Sequence, residues 1–240
     1  MSVQIVEILG PSEQGRSRPY KCRGEDDAIY YVKGRQTNRA SLWHEWICGH
    51  LAQGFGLHVP SFKIVEVGED LLREAPAEWR DIGTGPAFGS RLYPHAVWME
   101  VSWIDLVPAN VQRDVLVFDW WIQNCDRLMG NTNLLIDAAG KKLVVIDHNL
   151  AFDRQFSATE FLAHHVFAAN WSDICSDLVA QAEYSLRMST ALEGLSIACH
   201  NVPEEWRWAN AEMDVPANFD LQYIHQTLNR CTTPELWSLV

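Results

Sequence analysis

The chain has 240 residues, 48% of them hydrophobic and 21% charged, with 19 Lys and Arg against 31 Asp and Glu for a net charge of −12. That composition builds a core and excludes disordered, collagen-like and coiled-coil chains, and at about 150 residues per domain it allows one large domain or two small lobes. The negative charge argues against a broad grip on nucleic acid or an anionic membrane, although a local basic cleft is allowed.

Val3 to Leu9 reads as a strand, and Met1 to Gly10 has no cationic region ahead of an apolar one, so no signal peptide is expected. A polar stretch from Gly10 to Pro19 follows and includes Gly15 and Ser17. Tyr20 to Arg23 and Ala28 to Lys33 read as strands of an antiparallel sheet, with Glu25-Asp26-Asp27 turning between them. Leu42 and Trp46, with Trp43, Ile47 and Leu51 one face over, predict a helix over 38–55. Thr37 or Asn38 would cap it, and Gly54 and Gly56 would end it. Ser61 to Val67 reads as a strand, residues 68–92 as loop, and Ala96 to Trp103 as a strand.

Past Pro108 the pattern changes. Val111, Val115, Phe118 and Ile122 mark a helix, and a polar turn from Asn124 to Asn131 interrupts it. Asn133–Ile136 and Leu143–Ile146 read as two strands of a hairpin. From about residue 157 the sequence is mostly helical, punctuated by Pro203, Pro216 and Pro234. The longest aliphatic run, Leu143-Val144-Val145-Ile146, is far short of the about 20 apolar residues of a membrane helix. Cys22, Cys48, Cys125, Cys175, Cys199 and Cys231 form no C-x-x-C pair and read as reduced core thiols of a cytoplasmic protein. The expected architecture is α+β: a strand-rich lobe with one main helix over residues 1–103, and a helical lobe carrying a small hairpin over 104–240.

Chemistry concentrates around the hairpin. Asp126 and Asn131 lie on the turn before it, and Asp147 ends its second strand. If all three approach one end, they present two carboxylates and an amide oxygen. Hard oxygen donors of this kind suit Mg²⁺, which shares its remaining positions with phosphate and water. The other carboxylate can take a proton from an alcohol. A kinase needs this order: a base, an asparagine five residues later, and a metal-binding aspartate after a short hairpin. It also needs a lysine on an early strand, a glutamate on the next helix and a loop over the phosphates. Lys33, Glu45 and the Gly10–Pro19 stretch stand in those places.

The segment Phe118-Asp-Trp-Trp-Ile-Gln-Asn-Cys-Asp-Arg, then Gly130-Asn-Thr-Asn-Leu-Leu and Val145-Ile-Asp-His-Asn-Leu-Ala-Phe, resembles the HipA-like kinases, relatives of the phosphoinositide and protein kinases. Tyr31-Val-Lys-Gly, Glu45 and Gly56-Leu-His-Val-Pro60 agree, so the resemblance covers roughly residues 1–160. It implies a two-lobed protein-kinase-like fold with ATP between the lobes. Asp126 would be the base, and Asn131 and Asp147 the Mg²⁺ ligands. Lys33 would hold the α- and β-phosphates, paired with Glu45, while Gly15 and Ser17 would belong to the phosphate loop. Backbone groups of Glu100 and Ser102, on a hinge strand Trp98–Trp103, would meet adenine. The acceptor implied is a protein Ser or Thr hydroxyl, the chain's own included. A phosphoinositide headgroup fits less well, because His148 to Asn170 carries Arg154 against Asp153 and Glu160.

The chain departs from the family at Leu128, where many relatives carry His, at Asp147-His-Asn in place of Asp-Phe-Gly, and in a phosphate loop without a full G-x-G-x-x-G. These departures sustain an alternative: a pseudokinase that binds nucleotide or a protein without turnover. A zinc peptidase built on His44 and Glu45 lacks a third ligand, and Cys48 reads as a core residue. Asp119 reads as a capping or buried hydrogen-bonding carboxylate, His164-His165 as a surface pair, and Gly83–Gly89 as an ordinary loop.

Overall fold

In the computed structural model, which describes residues 2–12, 18–137 and 142–238, alternately buried residues make Val3–Pro11 a strand, β1. Tyr20–Gly24 (β2) and Ile29–Lys33 (β3) follow, then the helix Arg39–Phe55 (α1), Phe62–Val67 (β4), a short helix Glu69–Glu74 (α2) and Gly85–Arg91 (β5). The five strands close into a barrel in the order β1-β2-β3-β5-β4, sealed by the parallel pairing of β1 with β4. Val3, Ile5, Cys22, Tyr30, Val32, Val65, Val67 and Ala87 fill it.

Strand β5 corrects the loop expected over 68–92. Its sequence, Gly-Pro-Ala-Phe-Gly-Ser-Arg, holds almost none of the β-branched residues that mark strands. Space decides instead: a Cβ on Gly89 would meet Val65 Cγ1 at 2.5 Å, so only glycine lets the chain pass between β3 and β4. The strand expected at Ala96–Trp103 also shortens. It ends at Trp98 (β6, Ala96–Trp98), and Val101–Leu106 winds into a 3-10 turn.

Helix α1 begins where Asn38 Oδ1 accepts from the backbone of Ser41 at 2.8 Å. It ends at Gly56, whose φ of +96° suits glycine and lets Leu57 N reach back to Ala52 O at 2.9 Å. The next helix, Ala109–Trp121 (α3), buries Val115, Leu116, Val117, Phe118, Trp120 and Trp121. Leu134–Asp137 (β7) and Lys142–Val145 (β8) form the expected hairpin, and β6 joins it as a third strand. Short helices follow at Ala158–His164 (α4), Trp171–Ser176 (α5), Leu178–Leu192 (α6), Leu195–His200 (α7) and Leu221–Asn229 (α8).

Two compact units result. The first comprises Met1–Trp46, Pro60–Pro94 and Asn201–Phe219; the second comprises Ile47–Val59, His95–His200 and Asp220–Val240. The late segment of the first unit is held by tryptophans. Trp206 is fully buried and donates to Pro86 O at 2.9 Å, while Trp43 donates to Trp206 O at 3.1 Å and stacks on Phe219 at 4.2 Å. All described cysteines are free thiols, and no described helix is long and apolar enough to cross a membrane.

Candidate active site

In the strand-rich unit, Lys33 ends β3 and its ammonium donates to the carboxylate of Glu45 on α1. Both side chains are buried, with exposures of 8% and 4%. A buried pair of this kind places a cation at a fixed point but earns little stability by itself. The next residue explains the exact turn of the chain. Gly34 packs so closely that an added Cβ would lie 2.2 Å from Ile82 O, the carbonyl that accepts from Arg35 N at 2.7 Å. The sequence Lys-Gly therefore ends the strand and lets the backbone dock on residues 77–82.

In the helical unit, the chain leaves α3, turns, and enters β7. Leu128 and Asn131 exchange backbone hydrogen bonds of 2.9 and 3.1 Å, making a tight turn with Met129 and Gly130 exposed. Two amides converge on one carboxylate oxygen of Asp126: Asn131 Nδ2 at 3.3 Å and Asn133 Nδ2 at 2.9 Å. Asn133 also donates to Asp126 O at 3.3 Å. Pairing of Leu134 with Val145 continues to a bond from Ile146 N to Asn133 O at 3.2 Å, so Asp147 directly follows the last paired position. Both Asn133 (φ +48°) and Asp147 (φ +60°) sit in the left-handed region. Asn and Asp are the non-glycine residues that most readily adopt this conformation, because their short polar side chains can hydrogen-bond locally.

Beneath this turn lies a buried polar cluster. Arg127 donates to Asp119 Oδ2 at 2.5 Å and to the carbonyls of Thr132, Asn133 and Ile146 at 3.3, 2.5 and 3.2 Å. One guanidinium thus fastens the turn to the residue before Asp147. Asn124 Nδ2 donates to Asp119 Oδ1 at 2.9 Å. His165 accepts from Phe167 N at Nδ1 (3.1 Å), so its proton sits on Nε2, which faces Asp119 Oδ2 at 3.0 Å. Burial alone would raise the Asp119 carboxyl, but Arg127 and His165 outweigh it and hold the group below the usual carboxylate range. Burial lowers His165, and Asp119 does not fully offset it, so the ring is neutral as the tautomer requires. Cys125, next to Asp126, is pushed up to about 11 by burial and nearby carboxylates and remains a thiol.

Of the expected site residues, the structure brings Asp126 and Asn131 into contact and pairs Lys33 with Glu45. Asp147 follows the hairpin as expected. Gly15 and Ser17 lie outside the described residues. Glu100 and Ser102 are not on an extended strand: Ser102 is in the 3-10 turn, and Glu100 O accepts from Trp103 N at 2.9 Å. The hairpin is the reason, since β7 offers partners only to Ala96–Trp98, after which Met99 is held by Leu134 and Thr132. His165 is buried, not a surface residue, whereas Asp119 is the buried hydrogen-bonding carboxylate expected. Cys48 is in the core and Glu45 is taken by Lys33, which leaves the His44-Glu45 zinc reading without ligands. Asn133, Arg127 and His165 were not anticipated as site residues. Only the repeated asparagine in Asn131-Thr-Asn133 hinted at the first.

The oxygen-bearing groups that the turn brings together are the Asp126 carboxylate and the amides of Asn131 and Asn133, a hard set that fits Mg²⁺ rather than a softer ion. One more observation agrees. Asn133 Oδ1 is buried and finds no hydrogen-bond partner among the described residues.

A family model for HipA-like kinases matches residues 5–240. No curated protein matches the chain. Among solved structures, the proinflammatory kinase CtkA of Helicobacter pylori superposes with a TM-score of 0.53 at 10% identity, covering 97% of this chain and 95% of that one. At such identity the likeness concerns the mixed α+β fold, strand-rich first and helical after. The family match extends beyond the 160 residues that carry the sequence motifs and takes in the late helices as well. On that match, the chain belongs to the HipA-like kinase family.

Proposed function

We propose that the chain is an ATP- and Mg²⁺-dependent phosphotransferase whose acceptor is a protein Ser or Thr hydroxyl, its own included. The observation that carries this is the pair of amides, from Asn131 and Asn133, gathered on one carboxylate oxygen of Asp126. Asp126 would orient the acceptor hydroxyl and take its proton as the acceptor oxygen bonds to the γ-phosphorus. The bond to the β–γ bridging oxygen breaks and ADP leaves. Amide donors on Asp126 fix its rotamer, so the carboxylate needs no reorganisation when the proton arrives. Asn131 and Asp147 would hold Mg²⁺, which when bound neutralises charge on the phosphates. Lys33, aimed by Glu45, would bind the α- and β-phosphates.

The test is Asp126→Asn. Binding of ATP with Mg²⁺, read as a thermal shift, should stay at the wild-type value. Transfer of radiolabel should fall by about 10²–10⁴-fold, the usual contribution of a general base. Full activity in that variant would remove the role from Asp126.

A second reading, nucleotide binding without turnover, is favoured by one residue. Leu128 pairs with Asn131 and His165 and sets an apolar side chain in the turn after the base. A wild-type protein stabilised by ATP and Mg²⁺ but inert towards itself and a cell lysate would select this reading.

A further inference from the structure

The helical unit also holds a cavity of about 590 Å³ that none of the expected site residues lines. Its floor is one face of the small sheet. Val97, Ile136 and Leu143 are partners across β6, β7 and β8, and Val145 lies two residues on from Leu143. By strand alternation Leu135 and Val144 face the other way. Pro108, Val111 and Val115, spaced by three and four residues, line the cavity from the start of α3. Trp103 and Leu106 of the 3-10 turn and Leu57 of the loop after α1 complete the wall. Hydrogen bonds hold these parts in place. Gln112 Nε2 donates to Ile104 O and Val107 O at 3.1 and 2.8 Å, Arg187 donates to Phe55 O at 3.0 and 2.9 Å, and Val145 N donates to His58 O at 2.8 Å. The space is therefore preformed, and its volume falls in the range of about 300–1,000 Å³ that small-molecule pockets occupy.

The charges at the wall decide what the cavity takes. Asp114 is answered by Arg187 Nη1 at 2.7 Å and by the Tyr184 hydroxyl at 3.0 Å. Lys142 is the register partner of Asp137, so alternation turns it to the sheet face opposite Leu143 and leaves its methylene stem for the cavity. His58 is exposed to water. A charged ligand would lose its hydration here and find no partner, whereas apolar walls of this kind stay dry and accept apolar molecules. Trp103 adds a flat ring and one N–H donor. We infer that this cavity is a binding site for an uncharged aromatic small molecule, seated between the sheet face and the start of α3, with its ring against Trp103 and an acceptor for the indole N–H. A protein partner fits less well. Among the described lining residues the exposed large apolar side chains are Val97 and Leu106, at 47% and 73%, too little for an interface that takes about 800 Å² from each side.

The probe is naphthol, an uncharged bicyclic phenol followed by its own fluorescence in equilibrium dialysis against the full chain. One molecule should bind per chain with a dissociation constant below about 1 mM. Naphthalene sulfonate and naphthylmethylamine carry similar rings with a negative or a positive charge, and each should bind at least about tenfold more weakly. Val111→Trp fills the space, and Leu106→Asp sets a charge at its wall. Either change should weaken naphthol by about tenfold or more. Melting curves verify that the variants are folded. Leu106 is exposed, so Leu106→Asp decides the matter if Val111→Trp fails to fold. Absence of saturable binding overturns the inference, as does an affinity unchanged in the folded variants or shared by the charged compounds. A chain that sediments as a dimer, and as a monomer in Leu106→Asp, makes a second copy the occupant and overturns it too. None of these residues carries phosphoryl transfer, so the outcome is separate from the phosphotransferase reading.

Discussion

Arg127 shows how one side chain can fix several functional groups at once. Its five hydrogen bonds reach a carboxylate and three carbonyls from different stretches, all inside the helical unit. Lysine cannot reproduce this, because a single ammonium has neither the planar fork nor the number of donors. Arg127→Ala should cost about 3–5 kcal/mol in urea denaturation, since Asp119 would be left buried beside a neutral gap. Arg127→Lys should fold, with a smaller loss of stability, but transfer phosphate at a rate reduced about tenfold, about 1.4 kcal/mol of barrier, through a slackened turn. A fully active Arg127→Lys would show that the carbonyl contacts do not set the site's geometry. Gly34 makes a simpler demand. Gly34→Ala must displace the Ile82 carbonyl, and the expected consequence is a lower melting temperature together with weaker nucleotide binding, measured side by side.

At the level of elements, the sequence revealed those with strong periodicity and hid those made by space. The helix over 38–55, the strands ending at Lys33 and before Asp147, and the helix after Pro108 all carry regular apolar spacing, and each forms as Arg39–Phe55, Ile29–Lys33, Lys142–Val145 and Ala109–Trp121. Strand β5 was illegible because Gly89 stands in it for lack of room, which no propensity scale records. The turn at Val101–Leu106 was hidden because strand-like residues there have no partner strand left. Asn133 was legible as a strand residue but not as a site residue, since its side chain meets Asp126 only once the turn between α3 and β7 has folded. The return segment 201–219 falls in the stretch expected to be mostly helical, yet its described regular element is the 3-10 turn Glu204–Arg207, and Trp206 there is entirely buried against β5 and α1 in the strand-rich unit. Trp206→Ala should destabilise that unit by about 3–5 kcal/mol, as large buried aromatics do, seen as an earlier transition in denaturant. Trp206→Phe, which keeps most of the volume and loses the bond to Pro86, should cost about 1–2 kcal/mol.

Across the whole molecule, acidity should act through the Asp119 cluster. Both Asp119 and His165 have depressed pKa values when folded. The unfolded chain therefore binds more protons than the native one as pH falls, and stability falls with it. The loss should begin near the ordinary histidine value of about 6.5 and continue through the carboxylate range near 4. Denaturant midpoints measured from pH 8 to 4 should show this slope, and His165→Gln should flatten its upper part. An unchanged slope in that variant would place the acid sensitivity elsewhere. The interleaved path of the chain has a separate bearing on biosynthesis. The barrel strands leave the ribosome ahead of residues 201–219, and the tryptophan and phenylalanine that cover Trp43 are encoded more than 160 residues after it. The barrel must wait, with an aromatic surface open, until residues 201–219 have emerged, so a nascent chain arrested near residue 200 should be a client for chaperones and an easy target for proteases.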